Sequence, residues 1–410
     1  MKIIQLFKIF LPDNGGGIAN VMESIVDVLP ECEHQVVVCQ SSRRKKGADD
    51  RYRGIAVRRS RQMFEIASTP VSLQFLRDVK EKTKDADFVI CHFPYPMADL
   101  AVLLGLYSGR LVVWWHCGFD QYTGLAPFYR VLANHTLKKA DQILVSSKGN
   151  LAGSELLWKY RKKCRIVPFC VSDEYLRRGQ ELAAAAKKRA VSPEKNGGSQ
   201  GSTEERIRIL FIGRLVWYKG CDVLLRAFAT MKHKKCRLIL VGSGPLEQEL
   251  KCLADSLRLS QVEFMGRVSE KEKRKQLERC DFLVLPSISK AEAFAIVQLE
   301  AMVFGKPVIN TALQSGVPYV SIHGQTGITV KPGSVGQLAK AMDQLAGDQA
   351  LRSKYGSQAQ RRVQRYFTKQ AMAEKYRQLF YSQTQAHTGE AGDRQRKTEE
   401  RKGRKSETGI

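Results

Sequence analysis

The stretch Glu292-Ala293-Phe294-Ala295-Ile296-Val297-Gln298-Leu299-Glu300, continued by Ala301-Met302-Val303-Phe304-Gly305-Lys306-Pro307-Val308-Ile309, sets two carboxylates with seven residues between them around one helix start. Just before it, the apolar run Asp281-Phe282-Leu283-Val284-Leu285, closed by Pro286, has the character of a buried strand. Phe294 to Val303 predicts a short helix stopped by Gly305, and Val308-Ile309 a further strand. The order strand, loop, helix, strand places Glu292 beyond a strand's carboxyl end, where open α/β sheets bind ligands. The N–H groups and dipole of a helix start favour phosphate, by about 0.3–1 kcal/mol. A carboxylate beside that phosphate would be repelled, so Glu292 is expected to face something else. An ionised Glu only accepts hydrogen bonds, so sugar hydroxyls suit Glu292, and Glu300, roughly two turns on, suits a second polyol such as a ribose. In isolation the two acids read more readily as ordinary helix-flanking residues, and the neighbouring segments overturn that reading.

Further strands are expected in this half near Arg208–Ile212, Leu238–Val241 and Val262–Phe264. After the first of them, Phe211-Ile212-Gly213-Arg214-Leu215-Val216-Trp217-Tyr218-Lys219-Gly220 runs from strand to helix and carries two cations. The planar fork of Arg214 and the compact charge of Lys219 are suited to a diphosphate on which negative charge builds. Gly242-Ser243-Gly244-Pro245 and Gly266-Arg267-Val268 are turns at strand ends, placed to border a nucleobase.

The first half repeats the pattern, with strands expected at Lys2–Phe7, Val36–Cys39, Phe88–Cys91, Leu111–Trp114, Ile143–Val145 and Ile166–Val167. Ile18, Met22, Ile25 and Leu29 form one helical face between the first two. Such alternation implies a parallel sheet covered by helices. Asp13-Asn14-Gly15-Gly16-Gly17-Ile18 joins strand to helix, and its glycines let backbone N–H groups approach phosphate closely. It is neither a Walker loop nor G-x-G-x-x-G, so alone it is a weak signal. His116, just past an apolar strand, sits where site residues collect, although a single histidine there also reads as structural.

With 410 residues, 43% of them hydrophobic, the chain exceeds what one core holds, and two domains are expected. The ten cysteines include no Cys-x-x-Cys pair and read as free thiols of a cytosolic protein. No signal peptide is read at Met1 to Lys8, and the longest apolar stretch, Leu100 to Tyr107, is too short to span a bilayer. The formal charge is +26, and basic residues crowd Arg43 to Arg61 and Lys159 to Arg165. Anionic lipid headgroups attract such residues by about 1 kcal/mol each, whereas no nucleic-acid-binding signature is present, and a solubilising surface is the other reading. Residues 1–180 are thus expected to form one Rossmann-like domain, 181–206 a flexible linker and 207–366 a second such domain. A helix over 367–384, capped by Thr368, is placed to cross back to the first domain, and 385–410 read as a disordered charged tail.

Taken together, these segments resemble the retaining nucleotide-sugar glycosyltransferases of the GT-B fold, family 4-like and of the O-antigen and lipopolysaccharide type. The resemblance covers roughly residues 2–380. It is carried by Gly213-Arg214 to Lys219-Gly220, Val241 to Pro245, Glu292 to Glu300 and Gly305 to Val308, in that order, with Ser315 to Val320 and Gly324 to Gly327 following. It implies two Rossmann-like domains facing across a cleft and a nucleoside-diphosphate sugar as donor substrate, with no cofactor and no metal. The acceptor would be a hydroxyl of a glycan, lipid-linked, at the inner face of the cell membrane. Glu292 and His116 would be catalytic. Donor binding would fall to Gly16, Gly17, Arg214, Lys219, Val268, Phe294, Ala295, Ile296 and Glu300. Three departures are visible: Ala295 stands where the family usually has Gly, Ala19 where an acid often follows Gly-Gly-Ile, and Cys170 where Gly is common. A soluble transferase of the sucrose- or starch-synthase kind would share these motifs. A noncatalytic protein binding sugar nucleotides or nucleic acid would account for the charge alone.

Overall fold

The computed structural model describes residues 1–13, 17–39, 47–66, 69–118, 126–191 and 206–381. Gly16, the cluster Arg43-Arg44-Lys45-Lys46, residues 192–205 and residues 382–410 lie outside them.

In the first half the strands are β1 (Lys2–Phe7), β2 (Glu33–Cys39), β3 (Ala48–Tyr52), β4 (Ile55–Ser60), β5 (Phe64–Ile66), β6 (Thr69–Val71), β7 (Phe88–Phe93), β8 (Arg110–Trp115), β9 (Gln142–Val145) and β10 (Cys164–Ile166). Eight of them build one sheet in the order β10-β9-β8-β7-β1-β2-β4-β3, and β5 and β6 pair separately. All pairs in the large sheet are parallel except the β3–β4 hairpin at its edge. Strands buried on both faces need continuous apolar sequence, as in Leu111 to Trp115 and Phe88 to Ile90.

The second half contributes β11 (Ile207–Ile212), β12 (Cys236–Val241), β13 (Val262–Gly266), β14 (Phe282–Val284), β15 (Val308–Thr311) and β16 (Gly327–Val330). They form an all-parallel sheet in the order β13-β12-β11-β14-β15-β16. Strand order reverses beside β1 in one sheet and beside β11 in the other, so each has its ligand crevice at the carboxyl ends there.

An aromatic seam joins the halves. Phe169 meets Phe294 edge-on at 4.9 Å, Phe294 meets Phe367 at 6.2 Å, and Phe367 meets Tyr319 at 5.9 Å. After this seam a helix over 369–381 returns to the first sheet. There the Trp114 indole N–H donates to the Tyr376 hydroxyl at 2.6 Å, Phe380 packs on Phe88, and Lys369 and Arg377 pair with Asp27 and Glu31.

Three expectations are corrected. Residues 181–191, read as the start of a linker, continue the helix Asp173–Val191, because Ala183 to Ala186 is a strong helix-forming run. The helix expected from Phe294 begins at Val297 and spans Val297–Val303, since Ala295 takes φ +59° and cannot lie in a right-handed turn. Within the basic segment read as a surface patch, Arg59 is only 2% exposed. It lies on β4 and pairs with Asp13 and Asp50, while its neighbour Arg58 pairs with Asp49 and Asp78. A strand through the segment turns these two cations onto acids of the same half.

Candidate active site

Glu292 is 7% exposed and Lys219 9%. Their side chains meet at 2.5 Å between Oε2 and Nζ, and the Ser287 hydroxyl donates to the same carboxylate oxygen at 3.0 Å. Lys219 ends the short 3-10 turn Trp217–Lys219, and Gly220 follows at φ +65°. A side chain at Gly220 would meet the Pro286 carbonyl oxygen at 2.4 Å, so glycine is what lets the loop after β11 touch the loop after β14. Arg214 is exposed on the same loop, one residue past Gly213.

The backbone around Ala295 is clamped from behind. The Gln298 amide donates to the carbonyls of Phe294 and Val317, and the Asn310 amide donates to Gln298 Oε1 and to the carbonyls of Val317 and Ser321. Gly316 N–H donates to the Ala293 carbonyl at 2.6 Å. The intrahelical bonds start with Gln298 N–H to the Ala295 carbonyl, so Phe294, Ala295 and Ile296 form the turn leading into the helix.

Glu300 is held by Lys273, whose Nζ lies 2.9 Å from Oε1. Burial raises the Glu300 pKa against the opposing pull of Lys273. Lys273 also pairs with Glu270, which accepts a hydrogen bond from the Tyr175 hydroxyl of the Asp173–Val191 helix. Val268 is half-buried after Gly266, itself at φ +63°, and Gly17 is exposed at the first position of the helix Gly17–Val28.

His116 follows β8 and is 5% exposed. Its ring stacks on Trp114 at 4.5 Å and lies 6.1 Å from Phe169, which carries the contact on to Phe294. Two cavities flank this centre. One, of about 840 Å³, is lined by Trp115, Cys117, Trp158, Lys159, Ala291 and Ala293. The other, of about 470 Å³, is bounded by Asn20, Ser172 and Tyr175 of one half and by Lys273, Ile296 and Glu300 of the other. Among the described residues, no group of three or more His, Cys, Asp or Glu side chains converges as a metal site.

The structure therefore brings Glu292, Lys219 and Ser287 into contact and links His116 to Phe294 through Phe169. Glu300 and Ile296 line the smaller cavity, away from the Glu292–Lys219 pair. Gly16 lies outside the described residues. Sequence reasoning missed Ser287, Lys273 and His92, whose Nδ1 lies 2.8 Å from His116 Nε2. His92 carried the same signal as His116, a polar residue at the carboxyl end of an apolar strand. Lys273 carried none, lying in the charged helix Glu270–Arg279.

Comparison with known proteins bears on the family and the fold. Residues 15–175 match the family described as Glycosyltransferase Family 4, and residues 194–362 match Glycosyl transferases group 1. The O-antigen chain mannosyltransferase C of Escherichia coli is 28% identical over 93% of this chain and 98% of its own length. The D-rhamnosyltransferase WbpZ of Pseudomonas aeruginosa is 28% identical over 90% and 92%. Among solved structures, a sucrose-phosphate synthase from Thermosynechococcus elongatus superposes with a TM-score of 0.70 at 19% identity, covering 94% of this chain and 99% of that one. The chain belongs to the family 4-like glycosyltransferases of the GT-B fold.

Proposed function

We propose that this glycosyltransferase moves a hexose from a nucleoside-diphosphate sugar to a hydroxyl of a lipid-linked glycan, with retention at the anomeric carbon and without a metal ion. The observation that carries the reading is the buried Glu292–Lys219 pair, set where two switch-point loops meet. The names of the two relatives, a mannosyltransferase of the O-antigen chain and a D-rhamnosyltransferase, support cell-surface glycan synthesis as the setting.

In this reading the smaller cavity takes the nucleotide, with Glu300 and Ile296 on its wall. Lys219 and Arg214 offset the charge that builds on the diphosphate as the bond from the anomeric carbon to the phosphate oxygen breaks. The acceptor oxygen bonds to that carbon from the same face, and its proton passes to the departing phosphate oxygen. Glu292 accepts hydrogen bonds from donor hydroxyls and is steadied by Lys219 and Ser287. The larger cavity takes the acceptor. Its Trp158 and Lys159 and the nearby Arg161, Lys162 and Lys163 suit an amphiphilic, phosphate-bearing molecule at the inner face of the membrane.

The test is a panel of nucleotide sugars, scored for thermal stabilisation, slow donor hydrolysis and transfer to lipid-linked and soluble acceptors. Glu292→Gln leaves the buried Lys219 ammonium without its counterion, so turnover is read on protein shown to be folded, and it is expected to fall by about 100-fold or more. Full turnover in that variant overturns the site. Transfer to soluble acceptors alone replaces the lipid-linked reading.

A further inference from the structure

Three side chains at the carboxyl half of adjacent strands form a line that leads to His116. Gln5 of β1 and His92 of β7 are fully buried, and His116 follows β8. Gln5 Nε2 lies 3.1 Å from the Met22 carbonyl, Gln5 Oε1 lies 2.9 Å from His92 Nε2, and His92 Nδ1 lies 2.8 Å from His116 Nε2. The two imidazole planes differ by 13° with centroids 5.1 Å apart, the geometry of rings joined edge to edge through their nitrogens.

The order of protons along this line follows from one fixed end. A backbone carbonyl only accepts, so Gln5 must present its amide nitrogen to Met22 and its oxygen to His92. That oxygen also only accepts, so His92 Nε2 carries the proton. Burial pushes the His92 pKa down to about 3, which leaves the ring neutral near pH 7 and its Nδ1 bare. His116 Nε2 must then donate to it. His116 is likewise held well below its usual value, by burial first and His92 second, so its Nδ1 is bare too.

We infer that Gln5 and His92 are positioning residues for the transfer reaction: they lock His116 as the Nε2–H tautomer, so its remaining nitrogen accepts a hydrogen bond from a donor-sugar hydroxyl. A nitrogen in that state has no proton to give to a phosphate oxygen. Trp114 and Phe169 fix the ring plane, and Gln5 and His92 fix which nitrogen is protonated. The inference rests on the proposed function and on the catalytic role that the family resemblance gives His116, taken here as contact with the donor sugar, and the test separates the two.

The full chain, labelled with ¹⁵N histidine, is examined by long-range ¹H–¹⁵N correlation, with His116→Ala used to assign the signals. His116 is expected to show a protonated Nε2 and a bare Nδ1. His92→Leu removes the acceptor and is expected to give a mixture of tautomers and a kcat lower by about 10-fold to 100-fold. His92→Asn, whose side-chain oxygen can occupy the Nδ1 position, is expected to restore the single tautomer and most of the turnover. The tautomer itself is read in the wild-type protein, with His116→Ala serving only for assignment, and a proton on His116 Nδ1 overturns the relay. So does a tautomer that ignores His92→Leu in a folded protein. A tautomer that shifts while kcat stays put overturns instead the use of His116 in transfer.

Discussion

At Ala295 the chain carries a methyl group where the backbone, at φ +59°, asks for glycine. The left-handed conformation costs an L-residue about 1–2 kcal/mol, and here the hydrogen bonds from the Gln298 amide and from Gly316 hold it in place. Part of that cost is offset because alanine loses less entropy than glycine on folding. Ala295→Gly is therefore expected to raise stability by up to about 1 kcal/mol, read from the denaturant midpoint at unchanged slope. A clear loss of stability would show that the methyl packs favourably. At this scale Glu292 and Glu300 were legible because they share one continuous segment with a strand before it and a helix after it. Their partners were not legible. Lys219 was visible only as a cation suited to phosphate, and Lys273 lies on another helix that reads as a solvated charged face.

Among the elements, β4 departs most from its sequence reading. Ile55-Ala56-Val57-Arg58-Arg59-Ser60 carries two arginines near its end, and the charge count around it suggested a surface. The strand pairs with β2 on one side and β3 on the other, which buries Arg59 against Asp13, Asp50 and the Leu11 carbonyl. Those contacts tie the root of the loop after β1 to the sheet edge. Arg59→Ala strips the counterion from Asp13 and Asp50, and a loss of about 3 kcal/mol is expected in chemical denaturation. A change within about 0.5 kcal/mol would mean that water replaces the guanidinium.

The helix Pro96–Leu103 carries a second buried charge, Asp99, which accepts a hydrogen bond from the Tyr129 hydroxyl at 2.6 Å. Burial pushes its pKa up to about 6 from an ordinary 3.8. A carboxyl raised in the folded state favours folding in its protonated form. Its contribution is therefore fullest below about pH 4, declines as the pH rises to about 6, and is a constant penalty of about 3 kcal/mol above that. Asp99→Asn keeps an oxygen for Tyr129, so it is expected to stabilise the protein at pH 7 and to flatten stability between pH 4 and 6. Equal stability of the two proteins at pH 7 would overturn this.

Across the whole molecule, two sheets are held together by the seam Phe169–Phe294–Phe367–Tyr319 and by the returning helix that seats Tyr376 on Trp114. Ion pairs add to the junction, with Arg178 on Glu278 and Glu174 on Arg274. The proposed membrane surface also belongs to this scale. Although β4 removes two cations from it, Lys159 to Arg165 remains beside Trp158, which is 53% exposed, and Phe128, 78% exposed, lies on the neighbouring helix Ala126–Lys139. Co-sedimentation with vesicles containing anionic lipid is expected to fall as salt rises toward 1 M, where screening shortens to about 3 Å. Insensitivity both to salt and to anionic lipid content would overturn peripheral attachment.

Local sequence determined what is local: apolar runs too continuous for anything but buried parallel strands, glycines where loops must touch, and carboxylates and cations at strand ends. These follow from side-chain period and backbone sterics, which act within a few residues. Tertiary structure alone decided which charges meet. It set Lys219 on Glu292, Lys273 on Glu300 and Arg59 on Asp13, and it ran a proton order from Met22 through Gln5 and His92 to His116. Pairing between side chains depends on strand order and crossover, which bring together residues far apart along the chain. For that reason the same two acids that marked the fold in sequence acquire their partners only in the folded molecule.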